Sequence, residues 1–319
     1  MHVARLVPPA LVAALMGASG FVSSVSATTM FPEQFTCPIG GERFEDYVIG
    51  SYTSWGQRPD GREYGTLPVM PVVECPGNGF PIYRDKFTRS EIQRLKLLVE
   101  SEAYQALRAS DTPYYRVWWL KKELGEPPAE LANALLVASW ETDDDPGRKS
   151  RYQASFVETV ATIPTEQGKD WFYYNLRAAN ALRELSRFEE ASALLRQVEA
   201  SPFLPEDRDE REGVRYLIDG LSRLIEEANP HPEPTNLIPP EMAAQRCIEG
   251  EATLTATERE ACASEELVDA ISNHRDFDFE HDDGDIADAA SEAAATADAA
   301  MADTEANLEA DLEGAGIGE

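Results

Sequence analysis

From Pro113 to Pro230, apolar residues recur at helical spacing in runs separated by short Pro, Gly and Asp breaks, and this period decides the fold class. The runs predict helices over 113–123, 128–141, 147–162, 167–184, 187–200 and 207–228. The last is the plainest: Val214, Leu217, Ile218, Leu221, Leu224, Ile225 and Ala228 share one face, and Asn229-Pro230 stops it. Each amphipathic helix must bury its stripe on a neighbour, so the expected product is an all-helical array over 111–230.

A different pattern precedes it. From Phe31 to Phe87, Asp46-Tyr47-Val48-Ile49 and Leu67 to Val73 carry the β-branched and aromatic residues of strands. Gly50, Gly56, Pro59-Asp60-Gly61 and Gly77-Asn78-Gly79 mark turns between them. Tyr52, Trp55 and Tyr64 are expected to cover a core too small to bury them fully, in preference to forming a ligand patch. The capping box Thr88-Arg89-Ser90-Glu91 then opens a helix whose apolar positions run from Ile92 through Leu95, Leu98, Val99 and Tyr104 to Leu107. The class expected is mainly α, with a small β-rich head over 28–110.

Residues 1–27 have the form of an export signal: Arg5, an apolar run from Leu6 to Met16, and small residues at Val25-Ser26-Ala27. The mature chain is expected to begin near Thr28, in the periplasm, soluble and without a membrane span. The net charge of −30 is concentrated at the far end, where residues 241–319 hold 23 acidic and 3 basic side chains. Phosphate backbones need clustered Lys and Arg, and none assemble here, so nucleic acid is excluded as an expected partner. The acidic tail would likewise be repelled by anionic lipid.

Two short motifs, Cys37-Pro38-Ile39-Gly40-Gly41 and Cys75-Pro76-Gly77-Asn78-Gly79, resemble the two knuckles of a zinc ribbon with the second cysteine of each replaced. Within the helices, Trp171 to Pro202 resembles a tetratricopeptide repeat through Ala179, Leu182, Phe188, Ala191, Leu195 and Val198, with Ser186 where the turn glycine belongs. Together with the aromatic-rich turn Phe80 to Phe87, these features resemble a bacterial family that joins a paired Cys-Pro-x-Cys-Gly head to tetratricopeptide-like helices. That family implies no reaction. Because Gly40 and Asn78 stand where ligands belong, the resemblance implies a degenerate head without metal. In a ribbon that has lost its metal the two first cysteines face one another, which implies the pairs Cys37–Cys75 and Cys247–Cys262; free or metal-bound thiols are the alternatives.

After Pro230, residues 231–246 form a Pro-rich linker. Residues 247–275, with Cys247, Thr255, Glu258, Ala261, Cys262, Leu267 and Asp269, resemble the cysteine motif of lysozyme-inhibitor-type envelope domains. From Asp276 to the end, Ala, Asp, Glu and Gly dominate and disorder is expected. The alternating acids from Asp276 to Asp285 approach a calcium loop, but Phe279 occupies a ligand position.

Histidine is the useful negative. His2, His231, His274 and His281 all fall outside the two regions expected to fold, which leaves Ser-His and Cys-His triads and histidine-bound zinc without a residue there. Neither a phosphate-cradling glycine loop nor a dinucleotide fingerprint occurs, and the runs Asp143-Asp144-Asp145 and Glu189-Glu190 read as solvated surface. No catalytic residue, cofactor or metal is therefore expected. Tyr114, Tyr115, Trp118 and Trp119, followed by Lys121-Lys122, are candidates for a peptide-binding surface, joined by Trp171 and Tyr174 at the start of the repeat-like unit. The function expected is a non-enzymatic interaction or scaffold protein of the bacterial envelope that binds a protein or peptide. The alternatives are an inhibitor or sensor of envelope enzymes acting through the C-terminal cysteine module, and an enzyme that uses carboxylates alone.

Overall fold

The computed structural model of the protein describes residues 28–280 apart from Pro68. The expected signal segment 1–27 and residues 281–319 of the acidic tail lie outside the described residues. The chain is mainly α, with two small antiparallel sheets at its start.

Strand β1 (Thr29–Thr36) pairs with β2 (Arg43–Ser51), placing Phe35 opposite Phe44 with their rings stacked 5.7 Å apart. Strand β3 (Ser54–Gln57) pairs with β4 (Glu63–Gly65). The strand expected over Leu67 to Val73 does not form, and in this region only Glu74 bridges to Pro81. Its two prolines supply no amide donors to a ladder, so β-branched composition is outweighed. Strand β1 has no apolar alternation that could have announced it, because the strand itself is exposed on both faces for most of its length.

The single helix expected after Thr88 is two, α1 (Arg89–Val99) and α2 (Glu102–Ser110). The Thr88 capping box forms as expected. Ser101 then ends the first helix and starts the second, its hydroxyl donating to Leu98 O and accepting from Tyr104 N.

Helices α3 (Pro113–Leu124), α4 (Pro128–Trp140), α5 (Pro146–Val160), α6 (Lys169–Glu184), α7 (Phe188–Glu199) and α8 (Arg208–Glu226) follow close to the expected bounds. Each packs on the next, and α4 also touches α6 and α6 touches α8. Tyr115, Leu135, Tyr152 and Phe156 centre one core, and Phe172, Leu182, Leu195 and Leu221 the next. Helix α3 serves two layers: Tyr115 faces the array while Leu120 closes the head core with Cys37, Cys75, Phe80, Leu95 and Tyr104. At the end of α6, Ser186 adopts the left-handed conformation (φ 60°), and Arg187 N donates to Leu182 O at 2.8 Å. The serine performs the glycine's turn at a steric cost.

The segment after Pro230 is not a free spacer. Leu237 enters the second array core over Gly220 of α8, where an added Cβ would lie 2.3 Å from Leu237 Cδ2. A glycine inside a helix is explained here by that close approach. Tyr216 Oη donates to Asn236 O at 2.7 Å. Pro239 and Pro240, read as linker stiffeners, instead start α9 (Pro240–Glu249), a position that suits proline's fixed φ and missing amide. Helices α10 (Ala256–Cys262) and α11 (Glu265–Glu280) complete a small unit, with the expected Thr255–Glu258 capping box at its turn. Thr255 and Thr257 both donate to Glu227 at the end of α8, docking this unit on the array. Helix α11 carries the first part of the calcium-loop-like stretch, Asp276 to Glu280, as helix in place of loop; its remainder lies outside the described residues. Among the described residues no helix is long and apolar enough to cross a membrane.

Candidate functional site: two recesses beside the β3–β4 hairpin

The two cysteine motifs fold into matching knuckles. In the first, Cys37 N donates to Glu42 O (2.8 Å) and Gly41 N to Cys37 O (3.1 Å); in the second, Cys75 N donates to Phe80 O (2.9 Å) and Gly79 N to Cys75 O (2.8 Å). Gly41 and Gly79 hold corresponding left-handed positions, φ 74° and 70°. The cysteines are joined as Cys37–Cys75 and Cys247–Cys262. Asn78 links the knuckles without metal: its Nδ2 donates to Ile39 O at 2.8 Å and its Oδ1 accepts from Phe80 N at 2.9 Å. Gly40 sits at φ 102°, a backbone that L side chains rarely adopt, so this position serves the turn. Among the described residues there is no group of three or more His, Cys, Asp or Glu side chains that could hold a metal.

The six aromatic candidates do not form one surface. Tyr115 is buried, stacked on Tyr152 at 4.3 Å and tilted against Trp118 at 4.8 Å, with the Arg151 guanidinium over both tyrosine rings. Trp119 points the other way, against Tyr104 of the head, as successive residues of a helix must diverge. Trp171 meets Phe203 edge to face, and Tyr174 packs on the first array core. Five of the six are thus packing residues.

Tyr114 packs on the first array core too, but it also borders a recess. It lines a cleft of about 230 Å³ with Tyr52, Leu67, Met70, Val137 and Trp140. Tyr114 Oη donates to Met70 O at 3.0 Å, and Tyr52 and Met70 stay exposed at the rim, with Trp55 exposed on the same hairpin. Behind Tyr114, Glu141 at the end of α4 accepts from Tyr114 N at 3.1 Å and so fixes the start of α3. Burial pushes the Glu141 carboxyl up to about 7, against the opposing bond from Tyr114 N. The folded chain therefore binds this proton more tightly than the unfolded one, and the stability this confers is full below the ordinary value of 4.5 and is lost as pH rises through about 7. Glu141→Gln, which keeps the acceptor and removes the charge, is expected to stabilise the protein by about 2 kcal/mol at pH 8 and by nothing at pH 4. Urea unfolding at the two pH values measures this; an equal effect at both would exclude the carboxyl as its source.

The other side of the same hairpin faces a charged cavity of about 530 Å³. Arg58, which is buried, is clamped by Asp60 (2.7 Å) and Asp143 (2.8 Å). Burial works against the charge of Arg58, but the two carboxylates outweigh it and hold its pKa above the ordinary value. Arg62 (2.6 Å) and Lys149 (2.7 Å) reach the same Asp143. Burial alone would push the Asp143 carboxyl up, yet the surrounding cations hold it below the ordinary range. Glu184 of α6 accepts from Gln153 (2.6 Å) and Asn180 (2.7 Å), and burial pushes its carboxyl up. The remaining wall is Pro230 to Glu233, tied down by Arg183, a fully buried arginine that donates to Asn229 O and His231 O at 2.8 Å each.

This cavity qualifies one expectation and corrects another. Asp143 was read as solvated surface; it does stay exposed, its side chain 29% so, but its carboxylate is engaged by Arg58, Arg62 and Lys149. His231 was placed outside the folded regions, whereas it lines the cavity, its Nδ1 accepting from Glu233 N at 3.0 Å and its pKa lowered by burial. Glu189 and Glu190 do lie at the surface, with Glu190 pairing with Arg187 one turn away. One sequence signal pointed inward: Lys149 and Gln153 share the face of α5 that carries Tyr152, Phe156 and Val160, so two polar residues stand in an apolar stripe. Set against family models, curated proteins and solved structures, the chain matches none of them.

Proposed function

We propose that the protein is a non-enzymatic, exported interaction protein of the bacterial envelope, which receives a protein or peptide in the apolar cleft beside the β3–β4 hairpin. The observation that carries this reading is the cleft's composition. Tyr52, Met70 and Tyr114 give it aromatic and thioether surface at an accessible rim, the side chains that dominate binding energy at protein interfaces. The stacked helices behind it offer a rigid support, in keeping with the tetratricopeptide-like resemblance. Two disulfides suit an oxidising compartment.

A photo-crosslinking residue placed at Met70 of the full chain, activated in intact envelopes, is expected to trap a defined partner. The same residue at Leu97, 72% exposed on α1 and outside the cleft, is expected not to trap it. Equal adducts from both positions, or none from Met70, would remove the cleft as the seat of binding.

A further inference from the structure

In the charged cavity every acid already has a partner, while several donors keep N–H groups to spare. Asp143 accepts three hydrogen bonds, at Oδ2 from Arg58 (2.8 Å) and at Oδ1 from Arg58 (3.2 Å) and Lys149 (2.7 Å), and its Oδ2 forms an ion pair with Arg62 at 2.6 Å. A carboxylate has about four acceptor positions, so little of this one is left over. Both oxygens of Glu184 are engaged by Gln153 and Asn180, and Glu233 accepts from the Tyr64 hydroxyl at 3.0 Å.

The donors are unevenly used. Arg58 gives four of its five N–H groups to Asp60 and Asp143. Lys149 gives one short bond to Asp143 and stands 3.9 Å from Glu184, beyond hydrogen-bond reach, so two of its three N–H groups have no partner. Arg62 reaches only Asp143 among the described acids, and its Nε meets no acceptor. Because His231 Nδ1 accepts from a backbone amide, its ring proton sits on Nε2. Three donors from three separate segments therefore line one space whose acids, Asp143, Glu184 and Glu233, are each already engaged by other groups, and the volume far exceeds a single water.

We propose that this cavity is a binding site for an oxyanion, a carboxylate or phosphate at the end of a small ligand, held between Lys149 and Arg62. Guanidinium and ammonium donors suit both groups, and charge-assisted bonds of this kind are the strong ones. The site is independent of any partner in the apolar cleft.

Calorimetric titration of the full chain with succinate, and separately with inorganic phosphate, tests it. At least one is expected to bind saturably at a single site, and the one that does identifies the source of the group. Arg62→Gln and Lys149→Gln are each expected to weaken that binding by about tenfold or more, the loss of one charge-assisted bond. Arg62 is partly exposed, and its partner Asp143 keeps two other cations, so this variant retains its fold, as an unchanged Tm without ligand would attest. Failure of both anions to saturate in the millimolar range, or variants that bind as the parent does, overturns the proposal.

Discussion

Replacing Cys37 and Cys75 together by alanine is expected to lower the stability of the protein by about 4 kcal/mol. The bond closes a loop of 38 residues, and the chain-entropy cost of leaving such a loop open in the unfolded state has that size. The loss should fall unevenly. The second knuckle is anchored independently, since Tyr104 Oη and Arg116 both donate to Gly79 O at 2.6 and 2.7 Å. The first knuckle has the Asn78 bond to Ile39 and the bond from Gly77 N to Glu42. Beyond it lies only the β1–β2 ribbon, and two strands alone are marginal in water. Hydrogen exchange in the variant should therefore rise across Thr29–Ser51 before it rises in α4 to α8. A stability change below about 1 kcal/mol would show that packing, not the covalent link, closes the head. Recovery of the parent's stability in the cysteine-containing protein, reduced and then given zinc, would mean that the thiols hold metal after all.

Arg58→Ala carries a comparable penalty for a different reason. Arg58 and Asp60 are both buried, and removing the cation leaves an inward carboxylate without its partner, a loss of about 4 kcal/mol. Asp143 suffers less, because Arg62 and Lys149 remain on it. Adding Asp60→Ala to Arg58→Ala should restore part of the loss, since the stranded charge is then gone as well. Urea unfolding of the two single variants and the double variant closes the cycle. Strict additivity would contradict the pairing. The ion pair also fixes the β3–β4 turn between the two recesses, so the variant's calorimetric response to oxyanions should fall along with its stability.

The helical half of the fold was legible because burial there is one-sided. A stripe such as Val214, Ile218, Leu221 and Ile225 writes the period of a helix into the sequence. Strand β1 left no such trace, because a strand exposed on both faces imposes no alternation. The recesses were illegible for another reason. Arg58, Asp143, Lys149, Glu184 and His231 come from a hairpin turn, an interhelical turn, two helices and the segment after α8. Only tertiary packing brings them together, and a lone charge in sequence looks the same whether it faces water or a buried partner. Composition singled out Tyr114, which borders a recess, but its neighbours Tyr115, Trp118 and Trp119 share that composition and pack into two different cores, the first of which Tyr114 also touches.

The two disulfides follow one another along the chain and never interleave: Cys37 meets Cys75, and Cys247 meets Cys262. A polypeptide delivered from its N-terminus into an oxidising space presents the first pair before either later cysteine arrives. Each cysteine's nearest available thiol is then its native partner, so oxidation in order of emergence yields the correct connectivity and leaves no wrong bond for an isomerase to undo.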